Sequence, residues 1–385
     1  MKIAIVGGGI AGLYCAWSLQ DKHDVTLYEA SNRLGGRVHT VRKHGHVYEA
    51  GAGRFDPKAH THLVRLMRSL GIDESRWLHH AQNTQQYVKD GVPHPIDTPG
   101  LLSAIKPDPK KTLQTLLKLH YPPSLADDIA YSLGYQSMVD TMNSKDTLSS
   151  FLVSKGTYCG LKGGMSSIVE ALQSRLRCPI HTNTPITDFD PKKNTITLQS
   201  GAHRHYDIVI LATPSNVISR FPSLIHQDAK LERTLSSLRG MPLVRVYACF
   251  PTPNGKPWFH GKQKTTTNGA IKQFIPLSGG LAMVSYCDGT HAEGIKTLSN
   301  QECIQHLRKV FPNDKIPDPL WMDRFYWPVG DHCWLTNKRT YDNSNNSRYY
   351  VCGEAFSTNH KGWVEGALRS ADSVVKTIYS RQTKG

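Results

Sequence analysis

A short β-branched run, Lys2 to Val6, breaks abruptly into Gly7-Gly8-Gly9-Ile10-Ala11-Gly12, a G-x-G-x-x-G spacing. The run reads as a buried parallel strand, and Ala11 to Gln20, with Leu13, Ala16, Trp17 and Leu19, reads as the helix that follows it. Asp24 to Tyr28 then reads as a second strand closing at Glu29. Strand, glycine turn, helix and strand form a βαβ unit. Gly7 allows the tight turn, Gly9 lets backbone N–H groups reach a pyrophosphate, and Gly12 lets the helix pack closely on the strand. Ala11 opens that helix, whose N-terminus offers partial positive charge to phosphates. Glu29 lies 17 residues beyond Gly12, where a carboxylate accepts hydrogen bonds from an adenosine ribose.

The motif alone does not choose between NAD and FAD. After the ribose acid come Ala30-Ser-Asn-Arg33-Leu34-Gly35-Gly36-Arg37, a second glycine pair with Arg37 available to a phosphate. Two glycine clusters flanking one nucleotide suggest a ligand that runs along backbone. A second G-x-G-x-x-G is absent from the sequence. One dinucleotide is therefore expected, and it is the redox agent itself.

Composition narrows the class. The 385 residues allow two domains or one domain with an insertion, and 39% hydrophobic with 20% charged residues excludes a disordered, collagen-like or coiled-coil chain. The net charge of +15 asks for an anionic partner or ligand. Lys and Arg are dispersed, with no run longer than pairs such as Lys110-Lys111 and Lys192-Lys193, so dedicated nucleic-acid binding is not expected. Eight Cys occur singly with no CxxC pair, which points to reduced thiols. His44/His46, His60/His62 and His203/His205 lack a convergent carboxylate or Cys, so they read as surface histidines and no metal is expected. The start of the chain runs straight into structure and no stretch of about 20 apolar residues occurs. An intracellular, cytoplasmic protein without a membrane partner is the expectation.

Later blocks, in order, carry a resemblance to a known family. Lys162-Gly163-Gly164-Met165 opens a helix through Leu172, Tyr206 to Thr213-Pro214 reads as a strand returning to the nucleotide sheet, and two blocks close the chain: Tyr350-Val-Cys-Gly353-Glu354 and Lys361-Gly362-Trp363-Val364-Glu-Gly366. With Gly7–Gly12, Glu29 and Leu34-Gly35-Gly36-Arg37, this set resembles the flavin-containing amine oxidases, which include monoamine, polyamine and L-amino-acid oxidases. The resemblance implies an α/β fold: a Rossmann-like FAD-binding domain assembled from discontinuous segments, plus an α+β substrate-binding domain. We place the FAD segments at 1–72, 161–238 and 327–385, and the substrate segments at 73–160 and 239–326. Helical stretches at Lys111 to His120 and Leu125 to Met138, and strand-like runs at Leu243 to Phe250 and Leu281 to Cys287, fit the inserted segments.

The resemblance also implies roles. Gly53, Arg54, Thr213, Gly353, Glu354, Gly362, Trp363 and Val364 join Gly7, Gly9, Ile10, Ala11, Gly12, Glu29, Ala30, Gly35, Gly36 and Arg37 as cofactor-binding positions. In the family two aromatic side chains sandwich the amine; Trp363 matches one wall and Trp334 the other. Arg54 stands where L-amino-acid oxidases carry an Arg that pairs with the substrate carboxylate, and a guanidinium fork suits that task. Arg245 stands where many family oxidases carry a Lys that aids reaction with oxygen, and Arg keeps the charge without readily releasing a proton. Cys333 sits where monoamine oxidases carry the Cys linked to flavin, but its surroundings favour non-covalent FAD. The expected activity is oxidation of an amine, with a carboxylate-bearing amine such as an L-amino acid favoured over polyamines and monoamines, oxygen as acceptor and hydrogen peroxide as product. A homodimer is compatible with this. A flavin desaturase of the protoporphyrinogen-oxidase or phytoene-desaturase type and a non-catalytic flavin-binding interaction protein remain the alternatives.

Overall fold

A computed structural model describes residues 1–79, 85–152, 158–346 and 348–382. The chain divides into two compact units, one from Met1–His80, Gly156–Arg239 and Arg339–Gly385, the other from Ala81–Lys155 and Gly240–Lys338.

The first unit is built on a five-stranded sheet in the order Tyr349–Val351, Ile208–Leu211, Lys2–Val6, Asp24–Tyr28, Ile180–His181. Every pairing in it is parallel. Parallel strands must be covered on both faces, and the buried runs Ile3-Ala4-Ile5-Val6 and Ile208–Leu211 answer that need. On one face lie the helices Ile10–Leu19 and Val364–Gln382, joined by a hydrogen bond from the Tyr14 hydroxyl to Asp372 (2.7 Å) and another from Tyr379 to the Ser18 carbonyl (2.6 Å). Phe189, Phe221, Leu224 and Leu231 fill the core on the other face.

The second unit carries a seven-stranded sheet in the order Trp321–Trp334, Leu238–Cys249, Leu281–Asp288, Gln273–Pro276, Lys264–Thr267, Gln85–Lys89, Val92–Pro93. A helical cluster with Leu113, Leu117, Ile129 and Val139 at its core completes the unit. The helix expected over Leu125 to Met138 is two helices, Pro123–Leu133 and Gln136–Thr141. The break falls at Gly134, left-handed at φ +76°. Trp321–Trp334 is one unbroken strand across the expected boundary at residue 327, so residues 327–338 group with the second unit.

Candidate functional site

In the first unit, Gly7 takes φ +108°, and a Cβ there would stand 2.6 Å from the Ala212 carbonyl oxygen. A Cβ on Gly12 would collide with the Gly7 carbonyl, whereas one on Gly9 would meet nothing within 4 Å. The turn therefore packs tightly behind and opens in front. Gly9 N-caps the helix Ile10–Leu19 with no side-chain hydrogen bond, so the first-turn N–H groups lack an internal cap. Beside this turn, the Gly35 N–H donates to the Gly8 carbonyl at 2.8 Å and Gly9 bridges Gly35, which brings the two glycine clusters together. Arg33 braces the second cluster by donating to the Leu34 and Gly36 carbonyls.

Glu29 closes the cradle. One carboxylate oxygen accepts from the Gly8 N–H at 2.7 Å and the other from Ser31, leaving the remaining lone pairs for ligand hydroxyls. Arg37 pairs with the buried Glu354 at 2.7 Å, and the second Glu354 oxygen accepts from the Gly362 N–H at 3.2 Å. One carboxylate thus ties the second glycine cluster to the C-terminal block. Gly353, at φ +126°, exchanges hydrogen bonds with Ser370. Behind Gly7, the Thr213 hydroxyl is buried without a hydrogen-bond partner. An open glycine turn, an uncapped helix N-terminus, a ribose-suited acid and an orphaned hydroxyl fit a dinucleotide. Ala30 is exposed directly after Glu29, and Val364 begins the C-terminal helix.

A second constellation surrounds Trp363. Its ring lies parallel to that of Tyr158, with centroids 5.5 Å apart and planes 6° from coincident. The exposed Arg54, next to Gly53, spans both rings, its guanidinium 4.5 Å from the Tyr158 centroid and 5.7 Å from that of Trp363. Among the described residues Arg54 makes no ion pair, so its N–H edges stay available for an anion. Tyr158 is brought here because the Phe55 and Cys159 backbones exchange two 2.8 Å hydrogen bonds. Against Trp363 also stands His60, its ring centroid 4.7 Å away, and next to His60 is His360 at 5.4 Å.

His60 is only 3% exposed, which corrects the surface reading of the His60/His62 pair. Its ring packs on Trp363 at the entry to the helix Thr61–Ser69. Burial, then the nearby His360, holds its pKa down at about 4. Burial raises the Tyr158 hydroxyl above its usual range.

Arg245 and Trp334 are carried by the second unit. Arg245 faces its cross-strand neighbour Tyr286, with the guanidinium 4.9 Å from the ring. Trp334 is almost fully buried; its carbonyl accepts from the Asn143 backbone and side chain, and Lys338 lies over its ring at 5.6 Å. Cys333 is buried beside Met142 and Met241. Sequence reasoning missed Tyr158, His60 and His360. Spacing gives no sign of the first, since Tyr158 meets Arg54 only through the bridge at Cys159. The left-handed His360, φ +57°, has no sequence signal either.

The comparisons with known proteins agree with this geometry. The family profile described as flavin containing amine oxidoreductase matches residues 10–127 and 130–378. An L-amino-acid oxidase of Mus musculus is 25% identical over 448 residues, covering 96% of this chain and 69% of that protein. Protoporphyrinogen oxidase 2, chloroplastic/mitochondrial, of Arabidopsis thaliana is 31% identical over 98 residues, covering 25% of this chain and 19% of that protein. Among solved structures, a triple variant of putrescine oxidase superposes with a TM-score of 0.77 at 16% identity, covering 99% of each chain, which is a likeness of fold. The chain belongs to the flavin-containing amine oxidoreductase family and is an FAD-dependent amine oxidoreductase.

Proposed function

We propose that the protein oxidises the C–N bond of a carboxylate-bearing amine, an L-amino acid, to the imine, with oxygen as acceptor and hydrogen peroxide as product. One observation carries this reading: the Arg54 guanidinium lies over the Tyr158 and Trp363 rings with no ion pair among the described residues. A guanidinium stacked on aromatic faces keeps its planar fork free for bidentate pairing with a carboxylate. The long match to an L-amino-acid oxidase supports the same reading, whereas the protoporphyrinogen oxidase match spans a quarter of the chain.

In this reading Gly7, Gly9, Ile10, Ala11 and Gly12 take the pyrophosphate through backbone N–H groups, and Glu29, with Ala30 beside it, takes the ribose. Gly35, Gly36, Arg37, Gly53, Thr213, Gly353, Glu354, Gly362 and Val364 complete the FAD contacts. Bound FAD supplies the hydride acceptor for the carbon bearing the amine. Arg54 fixes the substrate carboxylate and Trp363 walls the amine. Water then hydrolyses the imine to a keto acid and ammonium. Arg245 replaces the family lysine with a cation that does not give up its proton; dye-linked dehydrogenation without peroxide would assign it the role of slowing oxygen.

The test is a product assay on purified holoprotein with L-amino acids, polyamines, arylalkylamines and a porphyrinogen. Equimolar ammonia and peroxide from amino acids supports the reading. Turnover of the porphyrinogen without ammonia overturns it in favour of a desaturase.

A further inference from the structure

We propose that His60 is a positioning residue for the carboxylate clamp: together with His360 it braces the indole of Trp363 and so fixes the two-ring platform on which Arg54 lies. The inference rests on the reading of Arg54 as that clamp.

His60 is pinned on two sides. Its backbone N–H donates to the Asp56 carbonyl at 2.8 Å, and its Nδ1 accepts from the Asp56 N–H at 3.1 Å. An accepting Nδ1 places the proton of the neutral ring on Nε2. The Asp56 Oδ1 accepts from the Lys58 and Ala59 N–H groups. The imidazole thus has one orientation, tilted 59° against Trp363. His360 fixes the backbone that carries the indole, its carbonyl accepting the Trp363 backbone N–H at 3.3 Å, while its ring meets His60 edge to face. A non-glycine residue at φ +57° persists where its surroundings over-determine it.

Burial favours a neutral His60. Glu365 faces it, but that carboxylate is engaged by His62, the Leu63 N–H and Arg369. His360 and Arg369 oppose a cationic His60, whereas Glu365 and Asp56 favour one. The low His60 pKa, about 4, agrees with a ring that stays uncharged at working pH. His60 thus touches Trp363, and Trp363 with Tyr158 carries Arg54, so loss of His60 loosens the support under Arg54.

The test compares FAD-loaded wild type, His60→Ala, His60→Phe and Arg54→Ala on an L-amino acid and on the amine that results from its decarboxylation. His60→Ala should raise KM for the acid about tenfold, inside the hundredfold that a 1 Å misplacement can cause. It should leave the FAD content unchanged and affect the amine much less than the acid, because both substrates meet Trp363 but only the acid uses Arg54, and His60→Phe, which restores a ring, should recover most of the loss. Equal effects on acid and amine, or no effect on either, would overturn the inference while leaving the clamp intact, provided Arg54→Ala still discriminates. A wild type and an Arg54→Ala chain that both ignore the carboxylate would defeat the clamp reading itself. Wild-type protein labelled with 15N-histidine gives an independent readout: His60 should stay neutral and Nε2-protonated down to pH 5, and a cationic ring at pH 6 would contradict the proposal.

Discussion

Arg54 is exposed but not loose. Its guanidinium rests on two parallel rings, and each cation–π contact at such a site contributes about 0.5–1 kcal/mol. That restraint lowers the ordering cost a carboxylate would otherwise meet. Arg54→Ala should raise KM for an L-amino acid roughly 10- to 100-fold, corresponding to about 1.5–3 kcal/mol for a charge-assisted contact. Arg54→Lys should recover only part of this, because an ammonium keeps the charge and loses the fork; full recovery in steady-state kinetics would count against bidentate pairing. His60 makes a separate prediction about stability. Its pKa is about 4 in the fold against about 6.5 in an unfolded chain. Between those values the unfolded state binds more protons, so stability is full above about pH 6.5 and falls by roughly 3 kcal/mol as pH drops towards 4. Urea melts from pH 7 to 4.5 should show this acid slope, and His60→Phe should flatten it.

Among the elements, the helix Thr61–Ser69 depends on a cap from far along the chain. Its own N-cap, His60, supplies no capping side chain. Glu365, whose side chain is wholly buried, accepts from the His62 and Leu63 N–H groups and from Arg369 and the His62 ring. Burial pushes this carboxyl up, but the Leu63 N–H, Arg369 and His62 outweigh it and leave it below its ordinary range. Its contribution is therefore present above the ordinary glutamate pKa and lost as pH falls through the lowered one. Glu365→Ala should destabilise by about 3 kcal/mol, since it strands two helix donors and a buried arginine contact; a thermal melt within a degree of wild type would contradict this.

Elements with local grammar were legible in the sequence. Lys2–Val6 and Asp24–Tyr28 fall where their patterns put them, because a glycine turn punctuates a buried strand run. The Glu365 cap was not, because a carboxylate reaching a helix start about 300 residues earlier leaves no periodicity. The same holds for Tyr158: only the backbone bridge from Phe55 to Cys159 places its ring under Arg54.

For the molecule as a whole, the discontinuity of the first unit has a thermodynamic consequence. Its outer strand Tyr349–Val351 and the helix Val364–Gln382 come from the last segment, yet the strand pairs with Ile208–Leu211 of the middle segment and the helix packs on Ile10–Leu19 of the first. A chain ending at residue 338 should therefore retain no FAD, measured as flavin absorbance per protein, and stoichiometric flavin in that truncation would refute the assembly. Cys333 is fully buried against Met142 and Met241, so FAD should leave on denaturation and the intact mass should equal that of the 43.0 kDa chain. The measurement that reaches furthest is anaerobic bleaching of the yellow holoprotein, followed at its flavin absorbance band. L-amino acids should bleach it rapidly, while the same amines without the carboxylate bleach it slowly or not at all. Bleaching by simple amines as fast as by amino acids, or none by either, would contradict a carboxylate-directed amine oxidase.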